Sequence, residues 1–376
     1  MILAVDTHHL LLEYAGTKRV TLNLIEQLKK IPDVELVEFS PFYSLSAGRG
    51  IAGKIYGHII RFFWVQIHLP ILCRVKKVDF LLSPEYYTPI YTNCKRAVIA
   101  HDAHIRAQKE FISPIWFYCY YIPFIEHAIR KADLIFTVSQ FSKKQIVDLM
   151  CLDERKVHVV YNGIDSRFTD EGKKKVQLKQ MEEPVLVGNK YILFVGTFEA
   201  RKNIERLIEA FAVFKKKFGT TVSKAKLAIV GKPSSGKFSD RNKHINDLIE
   251  RLNLGNEIVL CGYVPDADLP DLYRNACMIA FPSIYEGFGL PIIEGFASGV
   301  PVLTSNVCSM PEIAGTAAVL VNPYEVNDIA EKIELLMFDL PLRERLIATG
   351  YERVKEFTWE HCAHQIILYI RPLLLK

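Results

Sequence analysis

The stretch from residue 281 to residue 304, FPSIYEGFGLPIIEGFASGVPVLT, constrains the fold of this chain more than any other part. It reads as the end of an apolar strand, a loop with two glycines, a short apolar helix and a second apolar strand. Pro291 suits the first turn of that helix, where no backbone N–H is needed. Gly299 is typical of the left-handed residue that ends a helix. The pattern therefore predicts a strand, loop, helix and strand unit of a parallel α/β sheet.

The loop before this helix is expected to bind an anion, because a helix start leaves backbone N–H groups unpaired and carries the positive end of the dipole. The residues of this predicted phosphate site are Gly287, Phe288, Gly289 and Leu290. Glu286 and Glu294 flank it, and we expect both to point toward the mouth of the loop and to accept hydrogen bonds from hydroxyls. A sugar nucleotide, with a diphosphate between two polyhydroxylated rings, matches this combination.

The same residues carry a resemblance to a known family. The run Glu286–Gly287–Phe288–Gly289–Leu290–Pro291, followed by Glu294, resembles the E-x7-E signature of the retaining family-4 glycosyltransferases. This implies the GT-B fold, an α/β architecture of two Rossmann-like parallel-sheet domains facing a cleft. Two surface glutamates around a turn would leave the glycines and the proline unexplained. The carboxylate pair of a glycoside hydrolase would explain neither the glycine loop nor the helix start.

Length and composition limit the number of domains and the kinds of partner that this chain can have. A chain of 376 residues predicts two domains. The net charge of +5 resides wholly in residues 1–168, which suits an acidic or membrane-surface partner and equally suits ordinary solvated charge. The eight cysteines are scattered without a C-x-x-C pair, so we expect reduced thiols in a cytoplasmic protein. We expect no nucleic-acid partner.

The order of predicted strands and polar segments suggests four parts. Residues 1–168 form an N-terminal Rossmann-like acceptor domain, and the polar segment 169–190 is a linker. Residues 191–357 form the nucleotide-sugar donor domain. Residues 358–376 form a C-terminal helix that crosses back to the first domain.

Two positions in the first domain are candidate site residues. Gly16 lies just before a predicted helix, in a loop that resembles the glycine-rich first loop of the family, where the backbone approaches the donor phosphates and the acceptor. His101 follows a predicted strand, at the sheet edge where open α/β sheets place ligand groups. The family resemblance implies that His101 reaches the donor sugar. His8 and His9 lack partners at metal-ligand spacing and are interpreted as loop residues, with a substrate-facing role left open.

In the second domain, Arg201 and Lys202 lie beside a helix start, with Asn203 as its expected N-cap. Positive charge is unfavourable there unless an anion is bound, so the pair predicts a diphosphate contact. Lys232 follows a strand in a stretch close to a P-loop, but Phe238 stands where that loop needs a hydroxyl. We therefore expect Lys232 to hold the donor.

Two further features come from the family resemblance and from charge. Val264 belongs to a segment that resembles the family's contact with the nucleotide base. The segment Lys54–Lys77 alternates apolar clusters with basic residues, which suits either a basic amphipathic helix on a membrane that holds a lipid-linked acceptor or an ordinary helix of the fold. Any membrane contact would then be peripheral and on the inner face.

The resemblance implies a retaining hexosyltransferase with His101, Glu286, Lys202 and Arg201 at its catalytic centre. The form Gly-Thr-x-Glu-x-Arg-Lys-Asn resembles mannosyltransferases that use GDP-mannose in bacterial envelope polysaccharide synthesis, including lipopolysaccharide. The acceptor would be a saccharide or a lipid-linked glycan. No cofactor and no metal are expected, because Arg201 and Lys202 neutralise the leaving diphosphate. Alternatives are a UDP-sugar-dependent transferase, a sugar-nucleotide isomerase and a noncatalytic nucleotide-sugar-binding partner.

Overall fold

The structure, a computed structural model, describes residues 1–11, 15–41, 51–109, 112–169, 191–222, 224–231 and 239–375. The chain divides into two compact units, of which the first is Met1–Gly163 with Thr358–Lys376 and the second is Ile164–Phe357. Among the described residues, each unit contains one six-stranded sheet whose neighbouring strands all run parallel. The predicted α/β architecture with two Rossmann-like parallel sheets is confirmed.

The first unit is built on buried apolar strands connected by helices. Its strands are β1 (Ile2–Asp6), β2 (Glu35–Phe39), β3 (Phe80–Ser83), β4 (Lys95–Ile99), β5 (Leu134–Thr137) and β6 (Val157–Val159). Its helices are α1 (Ala15–Leu28), α2 (Ile51–Phe63), α3 (Leu69–Val75), α4 (His104–Ala107), α5 (Pro114–Trp116), α6 (His127–Lys131) and α7 (Gln140–Met150), with π-helices at Trp64–His68 and Phe117–Glu126.

The second unit repeats this organisation. Its strands are β7 (Tyr191–Val195), β8 (Lys226–Val230), β9 (Ile258–Gly262), β10 (Met278–Phe281), β11 (Val302–Ser305) and β12 (Ala318–Val321). Its helices are α8 (Ile204–Phe218), α9 (Ser239–Arg251), α10 (Leu269–Asn275), α11 (Leu290–Ala297), α12 (Met310–Ala314), α13 (Val326–Phe338) and α14 (Leu340–Val354). The last helix of the chain, α15 (Trp359–Leu374), belongs to the first unit.

Strand order places one candidate ligand position in each sheet. The first sheet has the order β2-β1-β3-β4-β5-β6, and the second has the order β12-β11-β10-β7-β8-β9. The direction in which strands are added therefore reverses between β1 and β3, and again between β7 and β10. Open α/β sheets bind ligands outside the carboxyl ends of the strands at such a switch point.

The boundary between the units differs from the sequence prediction. The residues from Ile164 to Phe168 were assigned to the first domain, yet they group with the second unit. The backbone N–H of Ile164 donates to the carbonyl of Phe357, and the Phe168 ring packs edge-to-face on Tyr273. These two contacts anchor the segment to the second unit. The predicted linker lies outside the described residues beyond Thr169.

One long helical segment of the first unit exposes a continuous apolar surface. From Ile51 to Val75 the chain runs through α2, a π-helix and α3 without a break. Large apolar side chains stand exposed at every fourth position, and we call this set the apolar stripe: Ile55, Ile59, Phe63, Ile67, Ile71 and Val75. A spacing of four drifts around an α-helix, which turns once in about 3.6 residues. The wider turn of the π-helix drifts the other way, so it offsets part of this drift.

A second helical segment packs beside the first. The Phe62 ring lies edge-on to Phe124, with centroids 5.0 Å apart, and the His58 ring lies 5.1 Å from Tyr120. This neighbouring segment leaves Ile115 and Tyr118 exposed. Within the described residues, no helix is long and apolar enough to cross a membrane.

Candidate active site

The predicted donor residues of the second unit meet at its switch point. Arg201 and Lys202 lie in the loop that follows β7, and Glu286 lies in the loop that follows β10. The two strands are hydrogen-bonded neighbours, with Met278 opposite Ile192. The strand order therefore brings together charged residues that are far apart in the sequence.

Glu286 forms ion pairs with both cations. Its Oε1 lies 2.7 Å from Nζ of Lys202, and its Oε2 lies 3.0 Å from Nη1 of Arg201. Arg201 also pairs through Nε with Glu199 at 2.7 Å, and its Nη1 donates to the carbonyl of Tyr285 at 3.2 Å. Two cations and two carboxylates thus form one cluster whose charges balance.

Burial and ion pairing oppose each other at this cluster. Burial alone would raise the pKa of Glu286, but Lys202 and Arg201 outweigh it and hold that pKa below its usual value. Burial lowers the pKa of the Lys202 ammonium, and the attraction of Glu286 works against this shift. Glu286 is therefore ionised near neutral pH, so the cluster is a set of fixed charges in a largely desolvated place.

Asn203 fixes the cation loop to the rest of the unit. It adopts the left-handed conformation, with φ of 62°, which asparagine tolerates better than most residues. Its Nδ2 donates to the carbonyls of Pro282 at 2.9 Å and of Pro323 at 2.6 Å. Asn203 occupies the predicted N-cap position of α8, but its side chain makes no capping hydrogen bond. Its Oδ1 instead accepts from Nη1 of Arg206 at 2.9 Å.

The glycine loop is held through its carbonyl groups. The hydroxyl of Ser309 donates to the carbonyls of Glu286 and Phe288, both at 2.9 Å, and the hydroxyl of Ser305 donates to that of Ser283 at 2.6 Å. Because side chains behind the loop occupy these carbonyls, the loop has a fixed conformation. It leads directly into α11, whose first turn contains Pro291 as predicted.

Gly289 is required at the start of α11. It adopts φ of 106°, a conformation that other residues rarely reach, and a Cβ atom there would come within 2.9 Å of Ile292. Gly299 follows the helix with φ of 68°, which confirms the predicted left-handed stop. The helix N-terminus is thus fixed next to Gly287 and Leu290, where the sequence predicts a phosphate.

Glu294 is buried inside the second unit, whereas the sequence predicted that it points toward the mouth of the loop. The residue is 3% exposed, and its Oε2 accepts a hydrogen bond of 2.6 Å from the hydroxyl of Tyr273 in α10. A carboxylate in the first turns of a buried helix needs such a donor, because burial without one is costly. Glu294 is therefore a positioned group inside the unit, with Tyr273 as its orienting partner.

For three other predicted donor residues, the structure gives only burial or position, or the residue lies outside the part of the chain that the structure describes. Val264 is buried just beyond β9. Gly16 is exposed and is the second residue of α1, so its predicted position before that helix is wrong. A Cβ atom placed on Gly16 would have no atom of the described residues within 4 Å, so these residues leave open space beside this glycine. Lys232 lies outside the described residues.

His101 follows β4 in the first unit, as predicted. Its Nε2 lies 3.0 Å from the carbonyl oxygen of Pro84, which follows β3. A carbonyl only accepts, so Nε2 carries the proton that is donated in this contact. The imidazole is half-buried, and the hydrogen bond fixes its orientation at the carboxyl ends of two neighbouring strands.

His8 and His9 are not the loop residues that the sequence suggested. Both are 1% exposed and lie in the first turn after β1. His8 Nδ1 lies 2.8 Å from Oδ2 of Asp6, and His9 Nε2 lies 2.8 Å from the hydroxyl of Thr21. They are therefore part of the interior at the switch point of the first sheet.

Sequence reasoning missed three positioning residues. Glu199, Tyr273 and Ser309 each contact a predicted site residue. Glu199 is part of the Gly-Thr-x-Glu-x-Arg-Lys-Asn motif but was given no role there, and the other two lie outside the quoted motifs. For Ser309 the sequence signal was its place before α12, which suggests a helix cap. Its side chain makes no capping bond, because it is engaged with the glycine loop.

Comparisons with known proteins cover nearly the whole chain. The model of Glycosyltransferase Family 4 matches residues 14–168, and that of Glycosyl transferases group 1 matches residues 176–353. The O-antigen chain mannosyltransferase B of Escherichia coli is 33% identical over 286 residues, which span 76% of this chain and 72% of that protein. The serotype-specific mannosyltransferase WbdA of Escherichia coli is 27% identical over 239 residues, but these span only 28% of WbdA and 63% of this chain.

Solved structures with low sequence identity share the fold. Sucrose-phosphate synthase from Thermosynechococcus elongatus superposes with a TM-score of 0.77 at 19% identity, covering 100% of this chain and 99% of that chain. WaaG, a glycosyltransferase involved in lipopolysaccharide biosynthesis, superposes with a TM-score of 0.72 at 13% identity, covering 98% and 99%. These likenesses confirm the predicted GT-B fold.

Proposed function

The chain belongs to the family-4, group 1 glycosyltransferases, and we propose that it transfers mannose from GDP-mannose to a saccharide or lipid-linked glycan of the cell envelope, with retention and without a metal. The choice of mannose is supported by the relatives named as mannosyltransferases and by the Arg-Lys-Asn form of the loop after β7. Membership of the family makes the chain a glycosyltransferase, and the donor, acceptor and stereochemistry are what we propose.

The observation that carries the proposal is the joining of Arg201, Lys202 and Glu286 at the switch point beside the start of α11. A lysine ammonium has three N–H donors, so its ion pair with Glu286 leaves capacity for a phosphate oxygen. Negative charge develops on the diphosphate as the bond to the sugar breaks, and fixed cations in a desolvated site stabilise it strongly. This is the task that a metal ion performs in other transferases.

The remaining groups are assigned to parts of the donor. The loop of Gly287, Phe288 and Gly289, with Leu290 at the helix start, binds the diphosphate. Glu294 binds the ribose hydroxyls, and Glu286 binds a hydroxyl of the sugar ring while it orients the two cations. Val264 lies against the base, and Lys232 and Gly16 contact the donor. His101, which belongs to the first unit, orients the sugar.

The apolar stripe supports a membrane-surface location for the first unit. Six large apolar side chains are exposed at successive fourth positions, and an exposed apolar patch next to charged residues marks a site of interaction with a partner or a membrane. Arg74, Lys76 and Lys77 are exposed at the end of this row, and each basic residue near an anionic leaflet contributes about 1 kcal/mol of attraction. We assign this surface to the anionic face of a lipid bilayer, where a lipid-linked acceptor is held.

The donor assignment is tested by thermal unfolding of the purified chain without metal, in the presence of GDP, GDP-mannose, UDP or UDP-glucose. Ligands that bind only the folded state raise the midpoint. Stabilisation by guanine nucleotides that is lost in Lys202→Met supports the proposal.

Other outcomes separate the alternatives. Stabilisation by uridine nucleotides alone would overturn the mannose donor and keep the transferase. In a separate activity assay, turnover of the donor without any acceptor would identify an isomerase. No stabilisation by any of them would contradict the proposed donor site.

A further inference from the structure

Hydrogen bonds connect the loop after β3 to the loop after β4. The two strands are parallel neighbours, with Ser83 opposite Val98, so their carboxyl ends lie side by side. His101, which we assign to the donor sugar, lies in the second loop, and its Nε2 lies 3.0 Å from the carbonyl of Pro84 in the first. One hydrogen bond to a ring atom does not restrain the backbone that carries the ring. The position of His101 therefore depends also on what holds its loop.

Tyr86 holds this loop through Asp102, the residue that follows His101. The Tyr86 hydroxyl accepts from the backbone N–H of Asp102 at 3.1 Å and donates to its Oδ1 at 2.8 Å. The backbone carbonyl of Asp102 lies farther away, at 3.2 Å, and a hydroxyl has only one proton to donate, so the carboxylate is its main acceptor. One hydroxyl thus restrains both the backbone and the side chain of Asp102.

The Tyr86 hydroxyl keeps its proton, so its role as a donor is permanent. Burial raises the pKa of Tyr86 well above its usual value, and repulsion by the Asp102 carboxylate acts in the same direction. Oδ1 of Asp102 also accepts from the backbone N–H of His104 at 2.9 Å, where α4 begins. The loop between β4 and α4 is therefore organised around one carboxylate, and Tyr86 is the side chain that fixes it from outside the loop.

The segment that carries Tyr86 is itself anchored. Gln66, in the π-helix of the long helical segment, donates to the carbonyl of Thr88 at 3.3 Å and accepts from the backbone N–H of Ile90 at 2.9 Å. Pro84 is buried on the other side of Tyr86. Because both flanks are held, Tyr86 gives Asp102 a fixed point of attachment.

The hydroxyl of Tyr86 and its ring have separate roles. The ring packs against an apolar cluster that includes Phe117 and Tyr121, and a phenylalanine ring would make the same contacts. Packing alone therefore does not require a tyrosine here. The hydroxyl is used in the two hydrogen bonds to Asp102.

We propose that Tyr86 is a positioning residue of the active site, which acts through Asp102 to hold the loop after β4 in the place where His101 orients the donor sugar. This inference rests on the proposed function and deepens it, because it names the residue on which the placement of His101 depends. Tyr86 itself does not touch the substrate.

The test is a double-mutant cycle of Tyr86→Phe with His101→Ala in the full chain, assayed with GDP-mannose and octyl α-D-mannoside. Alone, Tyr86→Phe should lower kcat about tenfold, which is the effect of one well-oriented hydrogen bond. In the His101→Ala background it should lower kcat less than about twofold, because there is no imidazole left to position. The dissociation constant for GDP should stay unchanged, since GDP lacks the sugar.

A general structural role for Tyr86 would give a different result. Tyr86→Phe would then lower kcat by the same factor in both backgrounds, and this outcome overturns the proposal. An unchanged kcat in Tyr86→Phe alone also overturns it. Tyr121→Phe is the matched control, because it removes a buried hydroxyl that has no hydrogen-bond partner among the described residues, and it should leave kcat unchanged.

A second pair of variants serves if Tyr86→Phe does not fold. Asp102→Asn keeps an oxygen acceptor for the Tyr86 hydroxyl, whereas Asp102→Ala removes it. We expect kcat of Asp102→Asn to exceed that of Asp102→Ala about fivefold or more. Equal values in the two variants would overturn the proposal.

Failure of this inference can be told apart from failure of the proposed function. If His101→Ala is slow and Tyr86→Phe is as fast as wild type, the inference fails and the proposed function stands. If His101→Ala keeps the wild-type kcat, the role of His101 fails together with this inference, and the donor site of the second unit stands. If wild type does not turn over GDP-mannose, the proposed function itself fails.

Discussion

Lys202 Nζ lies 2.7 Å from Oε1 of Glu286, and the two residues come from loops that follow neighbouring strands. Glu286 also holds Arg201 at 3.0 Å. A single carboxylate thus positions both cations that we assign to the leaving diphosphate. The account of the donor site depends on this relationship more than on any other.

Replacing Glu286 with glutamine should lower both stability and activity. Two partly buried cations lose a common partner, and breaking a buried ion pair typically costs about 3 kcal/mol in the free energy of unfolding. Activity should fall about a hundredfold, because the cations are no longer aimed at the leaving group. Urea unfolding and steady-state kinetics measure the two effects. Normal activity in Glu286→Gln would contradict the assignment.

The stability difference between wild type and Glu286→Gln should depend on pH in one direction. The pKa of Glu286 is lowered in the folded state, so its contribution is present above the unfolded-state pKa, about 4.3, and is lost as the pH falls through the folded-state value. The gap should therefore be constant from pH 7 to about 5 and should close below about pH 4. A gap that widens at low pH would show that the ion pair is not formed in solution.

Asn203 offers a test of how the cation loop is held. Asn203→Ala loses the side-chain hydrogen bonds to Pro282, Pro323 and Arg206 and must place alanine in the left-handed region, which together should cost about 3 kcal/mol. Asn203→Gly loses the same bonds without the conformational strain and should cost about 1 kcal/mol less. Denaturant unfolding of the two variants separates the effects. Equal loss in both would mean that backbone strain has no part in the role of Asn203.

Tyr273→Phe should weaken nucleotide binding through Glu294. The hydrogen bond of 2.6 Å from the Tyr273 hydroxyl is lost, which should cost about 1 kcal/mol of stability and leave Glu294 poorly oriented. We expect the dissociation constant for GDP to rise about fivefold, as measured by calorimetry. Tyr324→Phe removes the hydroxyl of an exposed tyrosine and should change neither quantity. Unchanged binding in Tyr273→Phe would separate Glu294 from the nucleotide.

The apolar stripe should bind anionic vesicles. A double variant, Ile59→Glu with Ile67→Glu, should bind phosphatidylglycerol vesicles at least about tenfold more weakly, because burying each isoleucine is worth about 1.5 to 3 kcal/mol. Leu368→Glu changes an exposed residue of α15 outside the stripe and serves as the control. Sedimentation with vesicles measures the partition. Equal binding by all three proteins would remove the membrane from the account.

The strands of both sheets could be predicted because buried parallel strands read as short apolar runs between turn residues. The unit predicted over residues 281–304 is present in the structure as the end of β10, the glycine loop, α11 and β11. The edge strand β2 was not predicted, because Glu35 and Glu38 interrupt its apolar pattern. Edge strands tolerate charge on their exposed side, so the apolar signal fails there.

The pairings within the site could not be predicted. Arg201 and Glu286 are 85 positions apart, and only the strand order, with β7 beside β10, brings them together. The side-chain contacts of Asn203 could not be predicted for a related reason. Its local sequence predicts the N-cap position correctly, but its Nδ2 donates to two carbonyls from other loops, and these carbonyls are far away in the sequence.

The most direct test of the central claim is GDP-mannose turnover in EDTA with octyl α-D-mannoside as acceptor, followed by NMR of the product. Wild type should release GDP and form an α-mannosidic linkage, which preserves the configuration of the donor. Lys202→Met should be slower by about a hundredfold while remaining folded. No turnover by wild type, an inverted linkage, or equal rates in the two proteins would contradict the account.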